Sequence, residues 1–585
     1  MTQYRSNQKN KIWKILILLL SIIGLIVCVT VLFPHVRRMI VDFAIQISHR
    51  EDPIYPSSWL GALLSYAMGG ICFILFFDYC TLTDSGKRLV QTVKREVIDC
   101  LSEVDFRSLL KPVLIMSTVY LLGILTIIRA NYSYRDDLGR SIFGYRKWYD
   151  WSRYVSEFSS IFVNADANLT DISPVPQLLA VLILAISSVL LVYIIGSKKI
   201  TTIRLLASIP LGLSPYFLEC LAFKFDAYHM ALSIFASIFP FLFIARKKAF
   251  LFVSIVSLLI MCMTYQAASG IYVLIVVILC FQDWNSRKKT NKEILSFLGM
   301  ATLAFCLAML LFRFFLMRPY GIEEFYASTA MHPLSNLISG TLSNIKNYAM
   351  VINHDFGIIW KIGILIILFF FIIKSIYRSA QKRIFSFLVS ILFIALSFIL
   401  SFGIYSLLAL PVFAPRSMFG FGLFLSIICI YIVSDYKKIA IGAVLALNWC
   451  FFVFAFSYGN AISDQVRYAE FRASILLHDL NALYPNWINE DISFRFQNTI
   501  DFTPTIKNIA KHNPVIEKMI QKRLGDTDMY WDQYYFLDHF NFNFKYHLKK
   551  PDCDSSIDSN PTTILDSYYH TIRSEGNLVI IILKN

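Results

Sequence analysis

Long apolar runs separated by short polar stretches dominate the chain. They fall at residues 15–33, 59–77, 112–128, 175–195, 203–223, 230–245, 250–265, 267–281, 294–312, 362–373, 384–408, 418–433 and 439–456. A bilayer hydrocarbon core takes about 20 helical residues to cross, so this pattern predicts about thirteen spans. The first run follows Arg5, Lys9, Lys11 and Lys14 but has no small-residue cleavage site behind it, and reads as a transmembrane helix rather than a signal peptide. Pro210 and Pro215 interrupt the fifth run, which predicts irregular backbone lining a cavity. Residues 85–111 alternate basic and apolar positions at helical spacing, as a helix lying along a membrane surface does. After residue 457 the pattern changes. Helical patterning at 460–483 precedes strand-like runs at 492–496, 540–547 and 578–584, with a helix near 514–524, so the tail reads as a small α/β domain.

Composition excludes a soluble globular chain: 585 residues carry only 16% charged side chains, and mean hydropathy is +0.59. The net charge of +15 is not gathered on one face, which argues against a nucleic-acid partner. It lies in every second loop: Lys87, Arg88, Lys94 and Arg95; Lys198 and Lys199; Arg246, Lys247 and Lys248; Arg287, Lys288, Lys289 and Lys292; Lys374, Arg378, Lys382 and Arg383; Lys437 and Lys438. Positive loops stay inside, so the N-terminus is expected in the cytoplasm and, with an odd number of spans, the C-terminal tail outside. The outer segments are then 129–174, 317–357 and 457–585. Three divisions follow: 1–129, N-terminal transmembrane helices with the cytoplasmic amphipathic segment; 130–457, a transmembrane core with outer loops; and 458–585, the outer domain. Most of the 11 cysteines sit inside apolar runs without zinc or disulfide spacing, and read as small buried hydrophobes.

Candidate chemistry concentrates on the outer side. Asp136 and Asp137 stand between Arg135 and Arg140, directly after a spanning run. They suit a catalytic carboxylate site, or else they cap a helix in the headgroup region. Asp171 precedes a proline-marked helix entry and has the same two readings. Lys224, Asp226 and His229 lie in a tight turn between two runs, where ionisable groups are costly unless they face a wet cavity. Gln266 sits in another outer turn. Arg416 is a cation at the outer end of a span, against the local charge bias, placed to meet a lipid phosphate or to snorkel toward membrane lipid. No GxGxxG, P-loop, HExxH or GxSxG context is present, which disfavours nucleotide-dependent chemistry.

Six stretches together resemble the phage-type, serotype-converting Gtr family of bacterial O-antigen glucosyltransferases, which have the GT-C architecture: YRDDLGRSIFGY (134–145), LTDISPVPQLL (169–179), SPYFLECLAFKFDAYHMALS (214–233), MTYQAASGIY (263–272), APRSMFGFG (414–422) and FSYGNAISDQVRYAEFRAS (456–474). The chain departs from that pattern in an additional pair of spans before the Asp pair, in Lys224 where arginine is expected, and in Glu219-Cys220 where an amide-bearing pair is usual. The resemblance implies an α-helical polytopic, GT-C-like inner-membrane enzyme; it does not extend past about residue 481, and the small C-terminal periplasmic α/β domain is the reading of the tail's own pattern. The resemblance further implies transfer of a glucosyl group from undecaprenyl phosphate glucose to lipid-linked O-antigen on the periplasmic face. Asp136 or Asp137 would be the base; Arg135, Arg140, Lys224 or Arg416 would meet the phosphate; Asp171, Asp226 and Gln266 would bind substrate. No cofactor is required on this reading, and a divalent metal is left open. Two other readings fit the composition: a flippase or transporter of lipid-linked sugars, and an O-antigen polymerase or ligase. A transporter would carry ionisable residues near mid-membrane and show repeat symmetry, whereas here most charges lie at span ends.

Overall fold

The computed structural model describes residues 83–317, 330–434, 438–486, 492–525, 536–540 and 562–585. The first two apolar runs, 15–33 and 59–77, lie outside the described residues. Among those described, seven helices are long and apolar enough to cross a membrane: Phe106–Ala130, Val175–Ile195, Gln266–Asn285, Asn291–Leu311, Ile358–Tyr377, Arg383–Leu400 and Lys438–Leu483. The run at 203–223 instead forms two helices, Thr202–Leu213 and Pro215–Ala222, bent by 63°. Pro215 causes the break. It pushes Ser214 into extended backbone (ψ 145°) and can donate no hydrogen bond to the preceding turn.

Three further runs form helices shorter than a bilayer is thick: Ala227–Phe243, Lys247–Cys262 and Gly420–Val433. Every residue of Gly420–Val433 is buried. A helix apolar on all sides and enclosed by protein need not match the bilayer, which explains its brevity. The outer ring differs: Leu295 and Leu303, Ile359 and Leu365, and Phe385 and Leu392 all point outward from their helices. The cysteines follow the same division. Cys100, Cys220, Cys262 and Cys429 are buried as expected, whereas Cys306 is exposed on the outer ring.

The two ends of this bundle carry different chemistry. The amphipathic segment forms the helix Asp84–Ser102, capped by the Thr83 hydroxyl, and Glu96 accepts a hydrogen bond from the Ala249 N–H at 2.9 Å. Glu103 lies 3.5 Å from Lys198 and 4.0 Å from Arg246, so this end holds the basic loops. Phe106–Ala130, 25 residues and about 38 Å long, leads from that end to the Asp136-Asp137 turn at the other.

The last long helix, Lys438–Leu483, has 46 residues and is about 70 Å long, more than twice a hydrocarbon core. Its C-terminal half leaves the apolar bundle and supports a four-stranded sheet. Strands β1 (Ser493–Gln497), β2 (Thr562–Asp566), β3 (His570–Glu575) and β4 (Leu578–Leu583) are ordered β1-β4-β3-β2, with β1 parallel to β4 and the other pairs antiparallel. Two of the expected strands are therefore present as β1 and β4; the expected strand at 540–547 lies, beyond Phe540, outside the described residues. The helix near 514–524 is shorter than expected, Val515–Met519, because Ile520 turns extended. Phe494, Phe496, Ile572, Val579 and Ile581 bury against Ala469, Ala473, Leu476 and Leu480 of the long helix. Leu138, the neighbour of Asp137, belongs to the same apolar cluster.

Candidate active site

Asp137 opens a seven-residue helix, Asp137–Phe143, that ends on Gly144. Gly144 has φ +66°, a left-handed conformation that favours glycine at a helix end, and the Asn168 side chain lies against it. The Asp136 side chain makes no capping bond. It takes Arg140 instead, with Nη2 at 2.7 Å and Nε at 2.9 Å from Oδ2. Asp137 is wholly enclosed; its Oδ2 accepts from the backbone N–H of Tyr134 and of Lys224, both at 2.8 Å. Its Oδ1 takes no hydrogen bond among the described residues. The acidic pair thus divides into one carboxylate that is 30% exposed and one that is sealed.

Around this pair the chain assembles a buried charge network. Arg140 lies 3.4 Å from Asp226 and stacks on Trp148, its guanidinium carbon 4.0 Å from the ring centre. The Trp148 indole N–H donates to Asp226. Lys224 Nζ donates to Asp171 Oδ2 at 2.6 Å, while Asp171 Oδ1 accepts from both the N–H and the hydroxyl of Ser173. Asp171 therefore organises the helix entry, as a capping residue would, and also pairs with the lysine.

Glu219 forms a second centre. It is fully buried; Oε1 accepts from the Tyr134 hydroxyl at 2.6 Å and from Arg416 Nη1 at 3.0 Å, and Oε2 accepts from the Arg416 N–H. Arg135 Nη2 stands 3.9 Å from Oε1. Arg135 has φ +49°, and its N–H donates to Gln521 of the tail at 2.8 Å.

Four cations (Arg135, Arg140, Lys224 and Arg416) thus face five carboxylates (Asp136, Asp137, Asp171, Asp226 and Glu219). Burial, followed by the charge of Asp136, pushes the Asp137 carboxyl well above the usual carboxylate range, against the pull of its two backbone N–H donors. A proton on Asp137 would balance the network at four against four. Burial works against ionisation of Asp171 too, yet Lys224 and Ser173 hold its carboxyl below the usual range. Burial also opposes the Arg140 charge, and Asp136 and Asp226 outweigh it, so Arg140 is held protonated.

Gln266 stands apart from this network. Its Nε2 donates to the Trp151 carbonyl at 3.2 Å and its Oε1 faces Arg153 Nε at 3.5 Å. His229 is buried in contact with Trp148 and bonds Ser159. Among the described residues no group of three or more His, Cys, Asp or Glu side chains is disposed to hold a metal ion. The residues 323 and 324, a further acidic pair in the loop, lie outside the described residues. Trp148 and Gln521 were not singled out from the sequence, and Glu219 entered only as a departure from the family pattern. Only Glu219 carries a local signal, an ionisable group inside an apolar run.

A model of the glucosyl transferase GtrII family matches residues 125–427, just over half of the chain. The chain belongs to this family. Every residue from Arg135 to Arg416 named above lies within the GtrII match, and the tail residue Gln521 lies beyond it. An uncharacterised 55.3 kDa protein from the gtrB 5′ region of Salmonella phage P22 is 23% identical over 418 residues, covering 68% of this chain and 84% of that protein. No solved structure matches. The resemblance read from the six stretches is thus borne out at the level of the family, and with it glucosyl transfer as the class of activity.

Proposed function

We propose that this GtrII glucosyl transferase takes its glucosyl group from undecaprenyl phosphate glucose and delivers it to lipid-linked O-antigen on the periplasmic face of the inner membrane. One observation carries the reading: a half-open carboxylate, Asp136, and a sealed one, Asp137, share a network with four cations at the end of the apolar bundle opposite the basic loops. That is where a lipid-linked donor would present its phosphate and sugar.

A base must touch the hydroxyl it deprotonates, and Asp137 is enclosed; Asp136 is therefore the base and Asp137 the residue that fixes the turn. The acceptor oxygen attacks the anomeric carbon of the donor and forms the new glycosidic bond. As it does so, the bond from that carbon to the phosphate oxygen breaks and the hydroxyl proton passes to Asp136. Undecaprenyl phosphate leaves with the electron pair. Arg140 and Lys224 are buried and committed to Asp136, Asp226 and Asp171, whereas Arg135 and Arg416 are 18% and 21% exposed. These two are the cations that reach a departing phosphate.

Mass spectrometry of O-antigen from cells with and without the protein tests the reading. An added hexose that depends on the protein and on a supply of undecaprenyl phosphate glucose is the expected result. O-antigen of unchanged mass would sink it.

A further inference from the structure

Residues 513–523 of the tail pack onto the bundle beside the Asp136-Asp137 turn. Val515, Ile516, Met519 and Ile520 are buried in the apolar core of the bundle and not in the separate core of the sheet. Polar contacts fix the same stretch from several sides. The Trp360 indole N–H donates to Asn513 Oδ1 at 2.8 Å, Lys518 Nζ donates to the enclosed carboxylate of Asp355, and the Tyr458 hydroxyl donates to the Met519 carbonyl at 3.1 Å. Just beyond, the Arg523 guanidinium stacks on the Tyr132 ring, 4.3 Å from its centre. A side chain on this stretch is accordingly held in a fixed place against the bundle.

Gln521 grips the turn from that place. Its Oε1 accepts from the Arg135 N–H at 2.8 Å and from the Tyr132 hydroxyl at 3.3 Å. Arg135 has φ +49°, in the left-handed region that a residue with a Cβ enters only against a steric cost, so a contact has to offset it. The Asp137 carboxylate takes the neighbouring N–H, that of Tyr134. The turn is thus held by one bond from within and one from the tail. Its backbone angle sets the direction in which the Arg135 side chain leaves, and here the guanidinium lies over Tyr134 with Nη2 3.9 Å from Glu219 Oε1. Were φ to relax to the ordinary negative range, Cβ would swing round and carry the guanidinium away from Glu219.

We propose that Gln521 is a positioning residue for the transfer reaction: by accepting the Arg135 N–H it holds the left-handed turn that keeps the Arg135 guanidinium beside Glu219, in reach of the departing phosphate. This rests on the glucosyl-transfer reading and extends the donor site into the tail, past the GtrII match. Gln521 acts through Arg135, so its loss should appear in KM for the donor and not for the acceptor.

The test uses the purified full-length protein in detergent. In Gln521→Met, which keeps length and removes the acceptor, amide hydrogen exchange in the peptide covering residues 132–138 should be about tenfold faster than in the wild type. KM for undecaprenyl phosphate glucose should rise about fivefold, with KM for the acceptor unchanged. Gln521→Glu still offers an oxygen and should restore both. In an Arg135→Gln background, Gln521→Met should raise donor KM no further, because the side chain it positions is already gone. Gln521→Asn, which draws the amide back by one methylene, carries the same test should Gln521→Met fail to fold. Unchanged exchange overturns Gln521 as the holder of the turn. Faster exchange with an unchanged donor KM, or a rise in KM that persists without Arg135, overturns its role in positioning. Faster exchange in the variant of a wild type that transfers no glucosyl group from this donor upholds the hold on the turn and overturns the proposed reaction instead.

Discussion

The Tyr134 hydroxyl donates to Glu219 Oε1 across 2.6 Å in a place where neither side chain touches solvent. This bond joins the turn that carries Asp136 and Asp137 to the helix that follows the proline break. Arg416 joins the same carboxylate from a third segment. Glu219→Ala would strand Arg416 and the Tyr134 hydroxyl without their shared partner. Breaking one side of a buried ion pair costs about 3–5 kcal/mol, so thermal melting in detergent should fall markedly, and Glu219→Gln should lie between. A Glu219→Ala protein that melts with the wild type would show that this centre holds nothing together.

Asp136→Asn should lower melting less than Glu219→Ala, because Asp226 still pairs with Arg140, and should reduce glucosyl transfer by about two to four orders of magnitude, the usual worth of a general base. Asparagine keeps an oxygen for Arg140 but takes no proton from a sugar hydroxyl. Transfer near the wild-type rate would reassign the base, with Asp171, the other carboxylate of the network open to solvent, next in line.

Asp137 sets a pH dependence. Its carboxyl titrates higher in the folded chain than in the unfolded one, because burial and Asp136 disfavour its charge. The stability this proton confers is complete below the ordinary carboxylate range and is lost as pH rises through the folded value. Melting followed from acid toward neutral pH should show that decline in the wild type, and a shallower one in Asp137→Asn. Parallel curves would mean that Asp137 does not titrate in the network.

Arg416→Gln should raise KM for the lipid-phosphate donor by about tenfold, since charge-assisted contacts to phosphate are among the stronger hydrogen bonds. Donor binding measured directly on the purified variant separates this from a general loss of fold. Unchanged binding would make Arg416 a partner of Glu219 and nothing more.

Reporter fusions check orientation. Fusions after Lys248 or Arg383 should read cytoplasmic, and one at Asn585 periplasmic, because the basic loops gather at the end away from the Asp pair. A cytoplasmic reading at Asn585 would place the tail, and the Asp136 turn packed against it, on the wrong side for periplasmic transfer.

Much of this was legible in the sequence because membrane helices announce themselves by length. What hydropathy does not reveal is the solvent: Gly420–Val433 is as apolar as any span, yet it is sheathed by protein and shorter than a bilayer, and the apolar helix Ala227–Phe243 is short as well. Pro215 showed where the fifth run breaks. Asp136, Asp137, Arg140, Asp171, Lys224 and Asp226 come from three separate motifs, with Lys224 87 positions from Asp137, and meet in the fold. Gln266 was singled out with them and stands instead with Trp151 and Arg153. The contact of Gln521 with Arg135 joins residues 386 positions apart, and no local pattern foretells a pairing over that distance.

Tyr134 is seated in the apolar core of the bundle, while Leu138, four residues on, is seated in the core of the tail. The carboxylate turn is pinned at both ends, and one of the two pins is built from the long helix and the sheet of the tail. A change that loosens the sheet of the tail is therefore felt, through Leu138, at the turn that carries Asp136 and Asp137, although the sheet lies outside the run of residues that forms the charge network.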